Sequence, residues 1–267
     1  MSGEIVTLTL NPALDLSSSV PRVAPTHKLR CELPLAEPGG GGINVARVCA
    51  RLGEPASAIA VLGGTTGQRM AALLVEEGLR THVIDVEGET RQSLSVIESS
   101  SGDQYRFVFP GPAVPAIDVE RCRAEVISQA SAASCLVISG SMPPGVDGAI
   151  INDLVRALPD VPVIVDASGP ALRTAIDHGC FLAKPSAREM ARLVGRDLPT
   201  EADIAEAAEE VMTTAQTEHL VVSLGPGGSF VLSADGTRRR LRAPAVDVRS
   251  AVGAGDSMVA GIAVGIH

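Results

Sequence analysis

Ser250-Ala251-Val252-Gly253-Ala254-Gly255-Asp256-Ser257, followed by Met258-Val259-Ala260-Gly261-Ile262-Ala263, is the stretch on which the reading of this chain turns. Two glycines set two residues apart allow a tight turn, and the small apolar run behind them predicts a buried helix whose first N–H groups lack intrahelical partners. Such a helix start carries about half a positive elementary charge and is an anion site. Asp256 in the first turn reads two ways. Taken alone, the segment favours a plain N-cap. With a phosphate at the same place, the carboxylate is placed to take a proton from an attacking hydroxyl.

Working outward, 267 residues suit one large α/β domain with a substantial core. A formal charge of −9 with no long basic run excludes a nucleic-acid or anionic-membrane partner, since both require a basic face. Cys31, Cys49, Cys122, Cys135 and Cys180 show no C-x-x-C spacing, so neither a zinc site nor a disulfide framework is indicated. Buried free thiols in a reducing compartment, and hence a soluble cytoplasmic protein, are the expectation. No apolar run reaches membrane-spanning length. Lys28 and Lys184 are the only lysines among 22 basic side chains, which directs attention to both positions.

Ile5–Leu10 predicts a buried strand ended by Asn11-Pro12, with Asp15 just beyond, at the strand edge where open parallel sheets bind ligands. Residues 17–36 predict short extended pieces outside the main sheet. Pro38-Gly39-Gly40-Gly41-Gly42-Ile43-Asn44 predicts the opening of a helix through Val45, Val48, Cys49 and Leu52. It is neither a G-x-G-x-x-G fingerprint nor a P-loop, since Asn44 takes the last glycine position and no Gly-Lys pair occurs. Close approach to the backbone and plain flexibility both explain it.

A βαβ rhythm runs over 56–86, breaks at a predicted hairpin (91–98 and 104–109), and resumes from 117. The hairpin and residues 17–36 together predict a small, mostly antiparallel lid over the strand ends, carrying Lys28, Arg91 and Arg106. Asp15, Ser141, Lys184, Ser223–Gly228 and Asp256 then fall along one rim.

These residues resemble the sugar kinases of the ribokinase-like (pfkB) family, and within it the minor type of 6-phosphofructokinase. The resemblance is carried by Thr7 through Asp15, Lys28 through Cys31, Glu37 through Arg47, Thr90-Arg91-Gln92, Gln104 through Phe107, Val137 through Gly145, Val221 through Pro226 and Val252 through Ser257, and it covers essentially the whole chain. It implies an α/β three-layer sandwich with a mostly parallel central sheet and a β-sheet lid at about 17–36 and 88–111. The implied reaction is ATP-dependent phosphorylation of fructose 6-phosphate at its 1-hydroxyl.

Asp256 would be the general base, with the amides around Gly253, Ala254 and Gly255 stabilising the transferring phosphoryl group. Asp15, Gly39, Gly40, Asn44 and Ser141 would hold the sugar, and Lys28, Arg91 and Arg106 its phosphate. Lys184, Ser186, Ser223, Gly225 and Gly228 would line the ATP side, with Glu189 towards Mg2+. K+ dependence and a homodimer through the lid are further implications.

Three departures accompany the resemblance. Ser186 stands where the family has Asn, Ala251 where it has Thr, and family members continue several tens of residues beyond His267 with helices completing the adenine pocket, so the C-terminal part of the domain is expected to be missing. The rival readings are tagatose-6-phosphate or 1-phosphofructokinase activity, and a non-catalytic sugar-phosphate or nucleotide sensor.

Overall fold

In chain order, β1 (Ile5–Thr9) leads into β2 (Ala13–Val20) and β3 (Leu35–Gly39), followed by α1 (Gly41–Arg51), β4 (Ala56–Leu62), α2 (Gly64–Glu76) and β5 (Arg80–Asp85). Next come β6 (Arg91–Glu98), β7 (Gln104–Val108), α3 (Ala116–Ala130), β8 (Cys135–Ser139), α4 (Ala149–Ala157), β9 (Val163–Asp166), α5 (Pro170–Asp177) and β10 (Leu182–Ala183). The chain closes with α6 (Ala187–Val194), α7 (Glu201–Met212), β11 (His219–Ser223), β12 (Ser229–Ser233), β13 (Arg238–Leu241) and α8 (Ala254–Ile266). The structure, a computed structural model, describes residues 3–246 and 252–267; Ser250 and Ala251 of the opening stretch lie outside the described residues.

Nine strands form the main sheet in the order β13-β12-β11-β10-β9-β8-β1-β4-β5, parallel from β11 to β5 and antiparallel at the β11-β12-β13 end. Both faces of its centre are covered, which is why these strands read as unbroken apolar runs rather than alternating ones. Ile5, Val137, Ile164 and Val221 pack against Val45 and Cys49 of α1 and Val259, Ala260 and Ala263 of α8. On the opposite face Val6, Leu8, Ile138 and Val165 meet Val126, Ile151, Leu154, Leu172 and Ile176. Met70 and Leu74 of α2 close over Ala58, Ala60 and Leu62 beside Leu14 and Ile43. Each of the Val, Leu, Ile and Met side chains among these, fully buried, stabilises the sandwich by about 1.5–3 kcal/mol.

The lid is larger than the sequence indicates. Its four strands run β3-β2-β6-β7, with β2 and β6 parallel and the other pairs antiparallel. It therefore begins at Ala13, not at about residue 17, and Asp15 lies inside a lid strand opposite Glu37. Pro38 and Gly39 end β3 rather than opening a helix. The proline is tolerated there because β3 is an edge strand.

The glycine run has a packing explanation. A Cβ on Gly42 would stand 2.6 Å from the Leu8 carbonyl oxygen and 2.7 Å from Thr9 Oγ1, and one on Gly41 would overlap the Ser139 hydroxyl. The close approach is thus by the protein's own central strands, which hold the start of α1 against β1 and β8. Ile43 N–H donates to Thr9 Oγ1 at 2.9 Å, fixing that start. Among the described residues no helix is long and apolar enough to cross a membrane.

Candidate active site

Helix α8 starts on Gly253, whose left-handed backbone (φ 78°) makes the turn that glycine there permits. Asp256 follows inside the first turn. It makes no side-chain cap to its own helix, so the plain N-cap reading is corrected: its Oδ2 accepts from Asn44 Nδ2 of α1 at 2.8 Å. Burial pushes the Asp256 carboxyl above the usual aspartate range, against the Asn44 hydrogen bond and the nearby Lys184 cation, which both pull it down.

Lys184, only 4 % exposed, pairs at 3.0 Å with Asp166 at the end of β9. A Cβ added to Gly255 would lie 3.8 Å from Lys184 Nζ, so the buried ammonium stands beside the start of α8. Asp166 escaped the sequence reading, because an aspartate ending an apolar strand carries no local signal. Burial drives its carboxyl upward, Lys184 opposes this, and Asp256 and Glu189 reinforce it, so Asp166, Lys184, Asp256 and Glu189 share one field.

A cleft of about 410 Å³ opens between the lid and the α1–α8 face. Asp15, Asn44, Arg106, Gly253 and Ser257 are in its wall. Burial raises the Asp15 carboxyl, and Arg106 and Arg91 draw it back. Gly39 makes room for this acid, since a Cβ there would overlap Asp15 Oδ2, and Gly40 adopts φ 129° against Thr9 and Pro12. Arg106 is exposed and faces the cleft.

Asp256 adjoins the cleft through its bond to Asn44 without being in the wall, and Gly39, Gly40, Arg91, Lys28 and Ser141 also stand outside that wall. Arg91 commits Nε and one N–H of Nη2 to the Asn11 carbonyl at 3.2 and 3.1 Å, which leaves the outer Nη1/Nη2 end of the guanidinium to meet a phosphate. Lys28 is exposed in the connection between β2 and β3. Ser141 lies in the loop after β8, where its Oγ accepts from Asn11 Nδ2 at 3.0 Å.

On the far side of Asp256, Ser223 N–H donates to the Pro185 carbonyl at 2.9 Å, joining the loops after β10 and β11. Ser186 caps α6: its N–H and Oγ both donate to Glu189 Oε2 at 2.8 Å, and Glu189 N–H returns a bond to Ser186 Oγ. Ser186 therefore completes a capping box with Glu189, and only one Glu189 oxygen is used in it. Gly225 opens a short 3₁₀ turn with φ 58°. Gly228 is required by residues 241–243, because a Cβ there would overlap the Leu241 carbonyl oxygen. Among the described residues there is no group of three or more His, Cys, Asp or Glu able to hold a metal by themselves.

Comparison with known proteins gives this arrangement a context. Over 265 residues the chain is 43 % identical to ATP-dependent 6-phosphofructokinase isozyme 2 of Mycobacterium tuberculosis, covering 98 % of this chain and 77 % of that protein. It is 42 % identical over 258 residues to the Escherichia coli protein of the same description, covering 96 % and 83 %. The crystal structure of phosphofructokinase-2 from Escherichia coli in complex with fructose-6-phosphate superposes with a TM-score of 0.90 at 40 % identity, covering 98 % of this chain and 86 % of that one. Since the model for pfkB family carbohydrate kinases also matches residues 10–267, the chain belongs to that family.

Proposed function

We propose that the chain transfers the terminal phosphoryl group of ATP to the 1-hydroxyl of fructose 6-phosphate, yielding fructose 1,6-bisphosphate and ADP. The observation that carries this reading is the Asn44–Asp256 hydrogen bond, which joins the cleft-facing helix α1 to the acid at the head of α8. In the proposed step Asp256 accepts the proton of the 1-hydroxyl as that oxygen bonds to the transferring phosphorus and the bond to ADP breaks. The first N–H groups of α8 donate to the phosphoryl oxygens, where charge accumulates. Asp15, Asn44 and Ser141 orient the sugar hydroxyls, and Arg91 and Arg106 hold the 6-phosphate from the lid.

Lys184 and the loops at Ser223–Gly228 are assigned to the nucleotide. Mg2+ typically takes one or two carboxylates and completes its shell with phosphates and water, and the Glu189 oxygen outside the capping box fits that donor set. Bound with ATP, the cation would offset phosphate charge. K+ is proposed as an activating ion, checked by exchange for Na+.

Leu33, 95 % exposed, and the exposed Leu35, Phe107, Val108 and Phe109 leave the lid with uncovered apolar side chains, which we assign to contact with a second copy of the chain. The four buried thiols suit a reducing, cytoplasmic setting. An ADP-release assay with fructose 6-phosphate, tagatose 6-phosphate and fructose 1-phosphate tests the substrate. The highest kcat/KM is expected for the first, and either of the others ranking ahead of it overturns the assignment.

A further inference from the structure

Asn11 lies where the chain leaves the main sheet for the lid, between β1 and β2, and it stands outside the cleft wall. Its backbone carbonyl accepts both Nε and Nη2 of Arg91, at 3.2 and 3.1 Å. Its side-chain Nδ2 donates to Ser141 Oγ at 3.0 Å, with a longer contact to the Met142 carbonyl at 3.5 Å. Its Oδ1 fills the space in front of Gly111, where the chain returns from the lid, and a Cβ on Gly111 would overlap it. One residue thus meets the lid's entry, its exit, the first residue of β6 and the rim loop after β8.

From this geometry we infer that Asn11 is a positioning residue for the sugar-phosphate half of the site, an inference that rests on the phosphotransfer reading above. Its carbonyl anchors Arg91 by the Nε–Nη2 side of the guanidinium and so fixes the direction of the other end. Arg91 is left to offer its outer Nη1/Nη2 end, aimed by the Asn11 carbonyl. Its amide holds the Ser141 hydroxyl at a fixed distance from that arginine. The separation between the hydroxyl-binding and phosphate-binding sides of the site is therefore set by a residue in the wall of neither. A sugar whose phosphate sits at another carbon would not match it.

The test is a cycle of four full-length chains: wild type, Asn11→Ala, Ser141→Ala and the double variant. Asn11→Ala keeps the carbonyl on Arg91 and deletes only the amide. We expect KM for fructose 6-phosphate to rise roughly three- to tenfold, the loss of about one hydrogen bond. KM for ATP and kcat should stay within about twofold. In the double variant KM should match that of Ser141→Ala, because the two residues act through one contact. Multiplying effects, or an equal rise in KM for ATP, overturn the inference. Should Asn11→Ala fold poorly, Asn11→Leu keeps the approximate shape with neither donor nor acceptor and is expected to give the same sugar-confined rise; an unchanged KM overturns the inference. Urea unfolding of the same four chains reads the contact without turnover. If the wild type phosphorylates no sugar phosphate, the functional reading fails; a zero coupling between residues 11 and 141 in the unfolding cycle defeats the Asn11 assignment by itself.

Discussion

Asp256 is held in a compromise. Its carboxylate must be ionised to accept a proton, yet burial favours the protonated acid, and Asn44 and Lys184 restore part of the difference. The acid limb of kcat/KM against pH is therefore expected above the ordinary aspartate range, and Asn44→Leu should move it further up. A carboxyl whose pKa rises on folding binds its proton more tightly in the folded state. Its contribution to stability accordingly falls as pH rises from the unfolded pKa through the folded one. Asp256→Asn should thus lower kcat by about 10²–10⁴-fold, keep fructose 6-phosphate binding by calorimetry, and leave Tm at pH 7 equal or higher. A large fall in Tm would show the carboxylate to be a structural group. Lys184→Met leaves the Asp166 charge without its buried partner, and a loss of about 3–5 kcal/mol in urea unfolding is expected. The sequence singles out Asp256, Asn44 and Asp15 because each sits in a short stretch with its own turn or glycine signal, and the fold brings Asn44 to Asp256 while placing Asp15 inside β2. The pairing of Asp166 with Lys184 is not legible there, because only the neighbouring register of β9 and β10 brings those residues together.

Among the elements, the buried strands and their helices are readable from apolar periodicity, and the hairpin predicted at 91–98 and 104–109 is β6 and β7. The misread parts are those where tertiary contact overrides local preference. β2, with its Ser17-Ser18-Ser19 run, lacks a strand composition and is a strand because β3 and β6 pair with it on either side. Gly41 and Gly42 signalled close approach, and the fold shows that the approaching groups are Leu8, Thr9 and Ser139. Gly42→Ala should destabilise the chain by about 1–3 kcal/mol through overpacking against β1, read as a lower urea midpoint at unchanged slope. Ser186→Ala removes a cap worth about 1 kcal/mol and frees Glu189, so a stability loss of that size with a changed Mg2+ dependence of rate is expected.

At the scale of the molecule, the lid carries exposed apolar side chains, and the cleft lies between it and the α1–α8 face. Phe107→Asp is expected to convert a dimer into a monomer by light scattering at micromolar concentration; an unchanged mass would move the contact elsewhere. The parallel pairing of β2 with β6 also imposes an order of events. Residues 21–90 separate the two strands, and they include β4, α2 and β5 of the main sheet. A nascent chain emerging from the ribosome must keep β2 without its long partner until that whole unit has been synthesised, and pairing so distant in sequence is slow. Pulsed hydrogen exchange during refolding should find the β1–β4 amides protected well before those of β2 and β6. Over that interval β2 has β3 on one edge and only its β6 edge open, and the polar Ser17-Ser18-Ser19 run makes that open edge a poor template for a neighbouring polypeptide.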